Sequence, residues 1–135
     1  MTARTRALVF GASGYIGTNL VPRLAGGGWR VRAAARHRAV LEARDWRDVE
    51  LIAADALDPA TLPAAVQDID VAFYLVHSMA AGKNFAQLDI EAAKNFAAAA
   101  AEAGVKRIVY LGGLIPADPR SLHLKSREET GDVLR

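Results

Sequence analysis

Apolar residues fall along this chain in five short, nearly unbroken runs, separated by stretches in which they recur every three or four positions. The first run, "RALVFGAS", ends in glycine, and the "YIGTNLVPRLAGGG" after it puts Ile16, Leu20, Val21 and Leu24 on one helical face before glycines 26–28 stop the helix. "WRVRAAA" is extended again, and a short arginine-rich connection of helical character leads to "VELIAADALD", a strand ending at Asp55. "PATLPAAVQDI" reads as a brief helix with Pro59 near its start, where a missing N–H costs little. "DVAFYLVHS" is the most apolar strand. Residues 84–103 form the clearest helix, with Phe85, Leu88, Ala92, Phe96 and Ala100 as an inward stripe and Gly104 as its left-handed stop. "VKRIVYLGG" is the fifth strand, and "SLHLKSREETGDVLR" begins another helix.

Strict alternation along a strand would mean one wet face, whereas unbroken apolar runs mean that both faces are covered. Strands alternating with helices of this length imply right-handed crossovers and an α/β, doubly wound parallel sheet in one domain over residues 1–135. No repeat of fixed period and no low-complexity linker divides it, and "AAAAAEA" is biased only toward helix.

In such a sheet ligands bind beyond the carboxyl ends of the strands, where the winding reverses, and "GASGYIG" falls at the first strand's end. Gly11 permits the sharp exit from the strand, Gly14 lets a pyrophosphate approach the backbone, and Gly17 lets the helix pack closely. The main chain from Ser13 through Tyr15 and Ile16 then offers free N–H groups and the positive end of the helix dipole to the phosphates. Tyr15 also reads as a packing residue. Following a strand and opening a helix is the context that gives a glycine triplet this meaning.

Together with "VRAAARHR", "AADALD", "AFYLVHSM", "AGVKRIVYLGGL" and "HLKSREETGDVLR", the glycine loop resembles the short-chain dehydrogenase/reductase superfamily, and more narrowly its atypical, NmrA-like branch of NAD(P)-binding domains. The likeness runs over nearly the whole chain. It implies a Rossmann-like sheet of order 3-2-1-4-5 and an NAD(P)H-binding oxidoreductase or epimerase-like function. In a different class, it also implies a non-catalytic NADP-binding redox sensor or assembly protein of NmrA-like type, whose partner surface changes with cofactor. Members of the bacterial subgroup most alike are much longer than 135 residues, and their sixth strand and substrate-binding segment have no counterpart here. A partial domain, incomplete at the C-terminus, is therefore expected, with exposed apolar surface at the outer edge of the fifth strand.

Cofactor choice is read at the end of the second strand, where an acid would hold the ribose 2′-OH of NAD. Arg36 stands there, Arg38 two residues later, and no acid precedes Glu42. Guanidinium groups favour a 2′-phosphate, so NADP is expected over NAD. Arg32, Arg36 and Arg38 also read as solvated charges in a chain with thirteen Arg and four Lys. The resemblance implies that the Asp55 carboxylate meets the adenine amino group, with the Ala56 backbone beside it, although Asp55 equally reads as the cap of the next turn. It further implies that Val76 and His77 line the ribose, His77 serving as proton shuttle or simply closing its strand.

The resemblance would supply a Ser after the fifth strand and a Tyr-x-x-x-Lys pair on the next helix. Gly112 and Gly113 stand at the Ser positions, and His123 with Arg127 four residues on replace the pair. His123 titrates near neutral pH, but a guanidinium on the same helical face depresses its pKa, and Arg cannot release a proton. His123 and Arg127 are the candidates for chemistry, and the superfamily's mechanism does not carry over to them. Tyr110 lies inside a strand and out of register for the phenol.

Composition narrows the surroundings. The chain has no cysteine, which removes disulfides and thiolate metal sites and fits a reducing compartment. His37, His77 and His123 are not spaced as ligands, so no metal is expected. "ALVF" is too short for a signal-peptide core, and no run approaches the roughly 18 apolar residues of a span, so a cytoplasmic protein without a membrane span is expected. Residues 1–50 carry nine Arg and four acids, residues 51–104 two Lys and seven acids. That asymmetry places an anionic ligand near the first part. It is too weak, and too poor in interleaved aromatics, to imply nucleic acid. The expected partners are the dinucleotide and a small-molecule substrate of unread identity, and a homo-oligomer stays open.

Overall fold

The apolar runs pair as five strands: β1 (Arg6–Phe10), β2 (Arg30–Ala35), β3 (Val49–Ala53), β4 (Val71–Tyr74) and β5 (Arg107–Tyr110). All neighbours are parallel, in the order β3-β2-β1-β4-β5. The structure is a computed structural model that describes residues 4–76, 85–110 and 133–134. Between the strands lie α1 (Tyr15–Gly26), α2 (Arg38–Glu42), a 3-10 turn at Pro59–Thr61 leading into α3 (Leu62–Val66), and α4 (Phe85–Ala103). Val133 and Leu134 are helical, and Leu134 touches the core. The rest of the expected last helix lies outside the described residues.

Each strand feeds two cores because successive side chains point to opposite faces. Leu8 and Phe10 of β1 join Leu62, Val66, Tyr74 and Phe96 beneath α3 and α4. Val9 joins Val21, Val31, Ala33 and Leu41 beneath α1 and α2. The first core centres on three rings: Phe96 lies 4.9 Å from Phe10 and 4.8 Å from Tyr74, centroid to centroid. This two-sided burial is why the strands read as continuous apolar runs. On the edge strand β5 the side chain of Val109 is exposed.

Two helical faces differ from the sequence reading. On α1 the inward residues are Gly17 and Val21, while Ile16 is exposed. Ile16 sits five residues from Val21, about 140° around a helix of 3.6 residues per turn, and so turns away from the sheet. On α4 Ala92, Phe96 and Ala100 are buried as expected, but Leu88 is half-buried and Asp89 takes the inward place, only 7% exposed. The side chain of Phe85 lies outside the described residues.

Arg32 is not a solvated charge, because the protein itself engages its guanidinium. From β2 its Nη1 donates to the carbonyls of Ala65 (2.8 Å) and Gln67 (2.7 Å), with Ala64 at 3.3 Å, and its Nε pairs with Glu50. A guanidinium thus satisfies the carbonyls left open at the end of α3. Replacing Arg32 by alanine leaves them unpartnered beside a removed side chain. Urea unfolding should show a loss of about 2 kcal/mol, in the range for hydrogen bonds to a charged group. An unchanged midpoint would mean that solvent caps α3 equally well.

Candidate functional site

The turn out of β1 is held by β2: the N–H groups of Gly11 and Ala12 both donate to the Ala34 carbonyl at 3.0 Å. Gly11 takes a left-handed φ of 95°, and a Cβ there would lie 3.0 Å from the Leu75 carbonyl oxygen. Gly17 is demanded by packing, because its Cβ would come within 2.6 Å of the Ala12 Cα and 2.7 Å of the Gly11 oxygen. These are the turning and packing roles expected of the first and third glycines.

Gly14 is different. Its φ of −74° suits any residue, and a Cβ would meet only the Gly11 oxygen at 3.6 Å, an ordinary contact. It is also the N-cap of α1, in the extended conformation that Asp, Asn and Ser adopt there, yet it offers no capping side chain. Intrahelical bonding begins with Thr18 N–H donating to the Gly14 carbonyl at 2.9 Å. The N–H groups of Tyr15, Ile16 and Gly17 are therefore not used within the helix. No acidic side chain stands in the first turn. Tyr15, 87% exposed, stands clear of the protein core, and so does Ile16. The Tyr15 ring therefore has no packing role. Thr18 braces the loop from behind through a hydroxyl donated to the Ala12 carbonyl at 3.2 Å.

Arg36 lies just past β2, exposed and in no ion pair among the described residues. Arg38 is drawn aside by Glu42, one helical turn on, at 3.1 Å. The guanidinium that approaches the loop is instead Arg44, whose Nη2 lies 3.5 Å from the Ser13 carbonyl oxygen. The sequence reading missed Arg44. The one available signal was its place at the end of the arginine-rich connection, from which its side chain reaches the loop.

Asp55 lies beyond the end of β3, in the loop, and Ala56 beside it is buried. The carboxylate does cap its turn: Oδ1 accepts from the Leu57 N–H at 3.0 Å. No hydrogen bond among the described residues engages Oδ2. Asn95 of α4, also missed, donates from Nδ2 to the Ala56 carbonyl at 2.8 Å and ties this loop to the helix. Val76 follows β4 and lies against Gly11, its Cγ2 3.3 Å from where a Cβ would stand. His77, Gly112, Gly113, His123 and Arg127 lie outside the described residues.

The buried phenol nearest this end of the sheet is Tyr74. Burial pushes its pKa well above the usual tyrosine value, and the negative charges of Asp89, a deprotonated Tyr110 and Asp55 push the same way. Tyr74 is therefore held in its protonated form at neutral pH. The Tyr110 ring lies 6.2 Å from it, at the end of β5. Among the described residues no cluster of His, Asp or Glu is arranged to hold a metal ion, and no helix is long and apolar enough to cross a membrane.

A five-stranded parallel sheet of this order, with a glycine-rich turn from its first strand into a helix, is a doubly wound, Rossmann-like domain. Residues 3–123 match the sequence model of the NmrA-like family, and the chain belongs to that family. Among curated proteins it is similar to cinnamoyl-CoA reductase 1 of Oryza sativa subsp. japonica, 34% identical over 110 residues, covering 76% of this chain and 32% of that one. Among solved structures it superposes on the NADPH-dependent quinone oxidoreductase QOR2 of Escherichia coli, complexed with NADPH, with a TM-score of 0.79 and 25% identity. That match covers 96% of this chain and 44% of the other. The enzyme WbmG of Bordetella bronchiseptica, in complex with NAD, has a TM-score of 0.79, 19% identity, and coverage of 98% of this chain and 49% of that one. The chain thus spans a third to a half of the length of these proteins.

Proposed function

We propose that this chain is the nucleotide-binding part of a cytoplasmic NADP(H)-dependent oxidoreductase or epimerase-like protein. The observation that carries the proposal is Gly14: the fold does not need a glycine there, so its bare backbone is explained by what approaches from outside. The loop fits a diphosphate. The N–H groups of Tyr15, Ile16 and Gly17 would hold its oxygens, Arg36 and Arg44 would hold a ribose 2′-phosphate, and Asp55 Oδ2 would accept from the adenine amino group. The nicotinamide, once bound, supplies the hydride chemistry. QOR2 being a complex with NADPH supports the NADP preference, and the arginine at position 36, where an acid would select NAD, supports it independently.

The test is a direct titration with NADPH and NADH, followed by quenching of dinucleotide fluorescence or by calorimetry. The parent should bind NADPH at least about tenfold more tightly, the equivalent of one good charge-assisted contact. Arg36→Asp should reverse that order, because the carboxylate repels a 2′-phosphate and accepts from a 2′-OH. Equal affinities in the parent, or an unchanged ratio in the variant, would remove the NADP assignment.

A second reading, a non-catalytic NADP-binding sensor or assembly protein, is favoured by one sequence fact: Gly112, Gly113, His123 and Arg127 occupy the positions where Ser, Tyr and Lys would serve. Both readings share the binding site and differ in turnover. NADPH binding without hydride transfer to any of a panel of quinone or carbonyl acceptors supports the sensor.

A further inference from the structure

The arginines that the glycine loop does not use converge at the other end of the sheet. Register sets Arg6 beside Arg30 and Val31 beside Val49, so the amino ends of β1, β2 and β3 form one edge. The five residues of β1 separate that edge from the glycine loop by roughly 13 Å. Along it lies a groove of about 1050 Å³. Trp29 and Trp46, both half-buried, line it, each backed by the core beneath α1 and α2. Arg4, Arg30 and Arg47 stand exposed at its rim. Arg6 is paired with Asp68 at 4.0 Å and Arg32 with Glu50, whereas Arg4, Arg30 and Arg47 enter no ion pair among the described residues. Asp48 is the one acid of the groove left to oppose those three.

We propose that this groove docks an acidic peptide segment carrying an aromatic residue. Unpaired guanidiniums bind carboxylates through parallel N–H donors, and a half-exposed indole gives an aromatic side chain a flat apolar surface to cover. Arginine and tryptophan are the residues on which peptide and protein interfaces most often depend. Nucleic acid suits the groove less well, because the unpaired positive charge is confined to three arginines beside Asp48, which is too short a track for a continuous row of phosphates. The exposed rim also favours an extended segment over a small molecule, which needs enclosure. The site is separate from the dinucleotide loop, and its proposal stands without the cofactor assignment.

Trp29 and Trp46 are the only tryptophans of the chain, so intrinsic fluorescence reads the groove directly. The probe is a synthetic capped peptide of two glutamates, phenylalanine and two glutamates. Controls are the same peptide with lysines in place of the glutamates, and oligo(dT). A saturable change in tryptophan emission with the acidic peptide, weakened by raising salt, is the expected result. Arg30→Glu with Arg47→Glu should weaken it at least about tenfold, while far-UV dichroism and the thermal midpoint report an intact fold. Arg30→Gln with Arg47→Gln serves if the charge reversal unfolds the chain. No saturation, an equal response to the lysine peptide, tighter binding of oligo(dT), or full affinity in the folded variants would each overturn the proposal.

Discussion

Replacing Gly14 by aspartate should lower NADPH affinity by at least about a hundredfold and leave the thermal midpoint of the chain unchanged or slightly raised. The two halves of this expectation have separate causes. Position 14 is the N-cap of α1, with the extended φ and ψ that a capping residue adopts, and a Cβ meets nothing closer than 3.6 Å. Aspartate there would accept from an N–H of the first turn and complement the helix dipole, so the folded chain gains a few tenths of a kcal/mol over glycine. The same carboxylate occupies the place proposed for the diphosphate and repels it, and a hundredfold loss corresponds to about 2.7 kcal/mol. Gly14→Ala separates the terms further, because it adds bulk without charge and should lose less affinity. Calorimetric titration beside a thermal melt checks both halves. If Gly14→Asp melts higher and binds NADPH as the parent does, the diphosphate does not rest on this loop. A sharply lower midpoint would mean instead that the glycine serves the fold.

How far the sequence anticipates this arrangement depends on the range over which each signal acts. The strand order is legible only through the family resemblance, whereas the strands themselves and the helices on both faces follow from unbroken apolar runs such as "ALVF" and from the glycine stops, which are local signals. So does the glycine loop, whose three residues lie within seven positions of one another. The features that escaped are made by residues distant in sequence. Arg32 looks like any other arginine until α3, more than thirty residues on, presents its open carbonyls. Arg44 reaches Ser13 across thirty-one positions, and Asn95 reaches Ala56 across thirty-nine. The misplaced Ile16 has a different cause. Apolar spacing put it on the inward face, but the inward face at that point is Gly17, which carries no hydrophobic signal because closeness to Ala12 is the whole of its role.

The same range argument accounts for the charge pattern. Nine arginines in the first fifty residues suggested one anionic ligand. In the fold they divide between two ends of the sheet, since arginines stand at the amino ends of β1 and β2 and another follows the carboxyl end of β2. Arg36 and Arg44 stand at the carboxyl end with the glycine loop, and Arg4, Arg30 and Arg47 at the amino end with the two tryptophans. Only strand direction distinguishes the groups, and a charge count along the sequence does not contain it.

Gly17→Ala should cost about 3 kcal/mol and lower the thermal midpoint by roughly 10 °C, because among the described glycines it is the one where an added methyl group meets backbone most closely. Alanine in the first turn of a helix is otherwise favourable, by about 1 kcal/mol over glycine. The expected sign is therefore opposite to that of helix propensity, and the reason is distance. A Cβ at 17 would sit 2.6 Å from the Ala12 Cα and 2.7 Å from the Gly11 oxygen, both backbone atoms that cannot swing aside like the tip of a side chain. Relief requires α1 to lift from the β1 turn. That turn is itself pinned by the bonds from Gly11 and Ala12 to the Ala34 carbonyl and crowded by Leu75 and Val76 against Gly11. Lifting the helix also moves the N–H groups of Tyr15 and Ile16 away from where a diphosphate would meet them, so NADPH affinity falls along with stability. That joint loss distinguishes Gly17→Ala from Gly14→Asp, in which binding falls alone. Should Gly17→Ala melt at or above the parent, α1 does not pack against the turn at this distance, and the proposed cradle loses the geometry that aims its N–H groups outward.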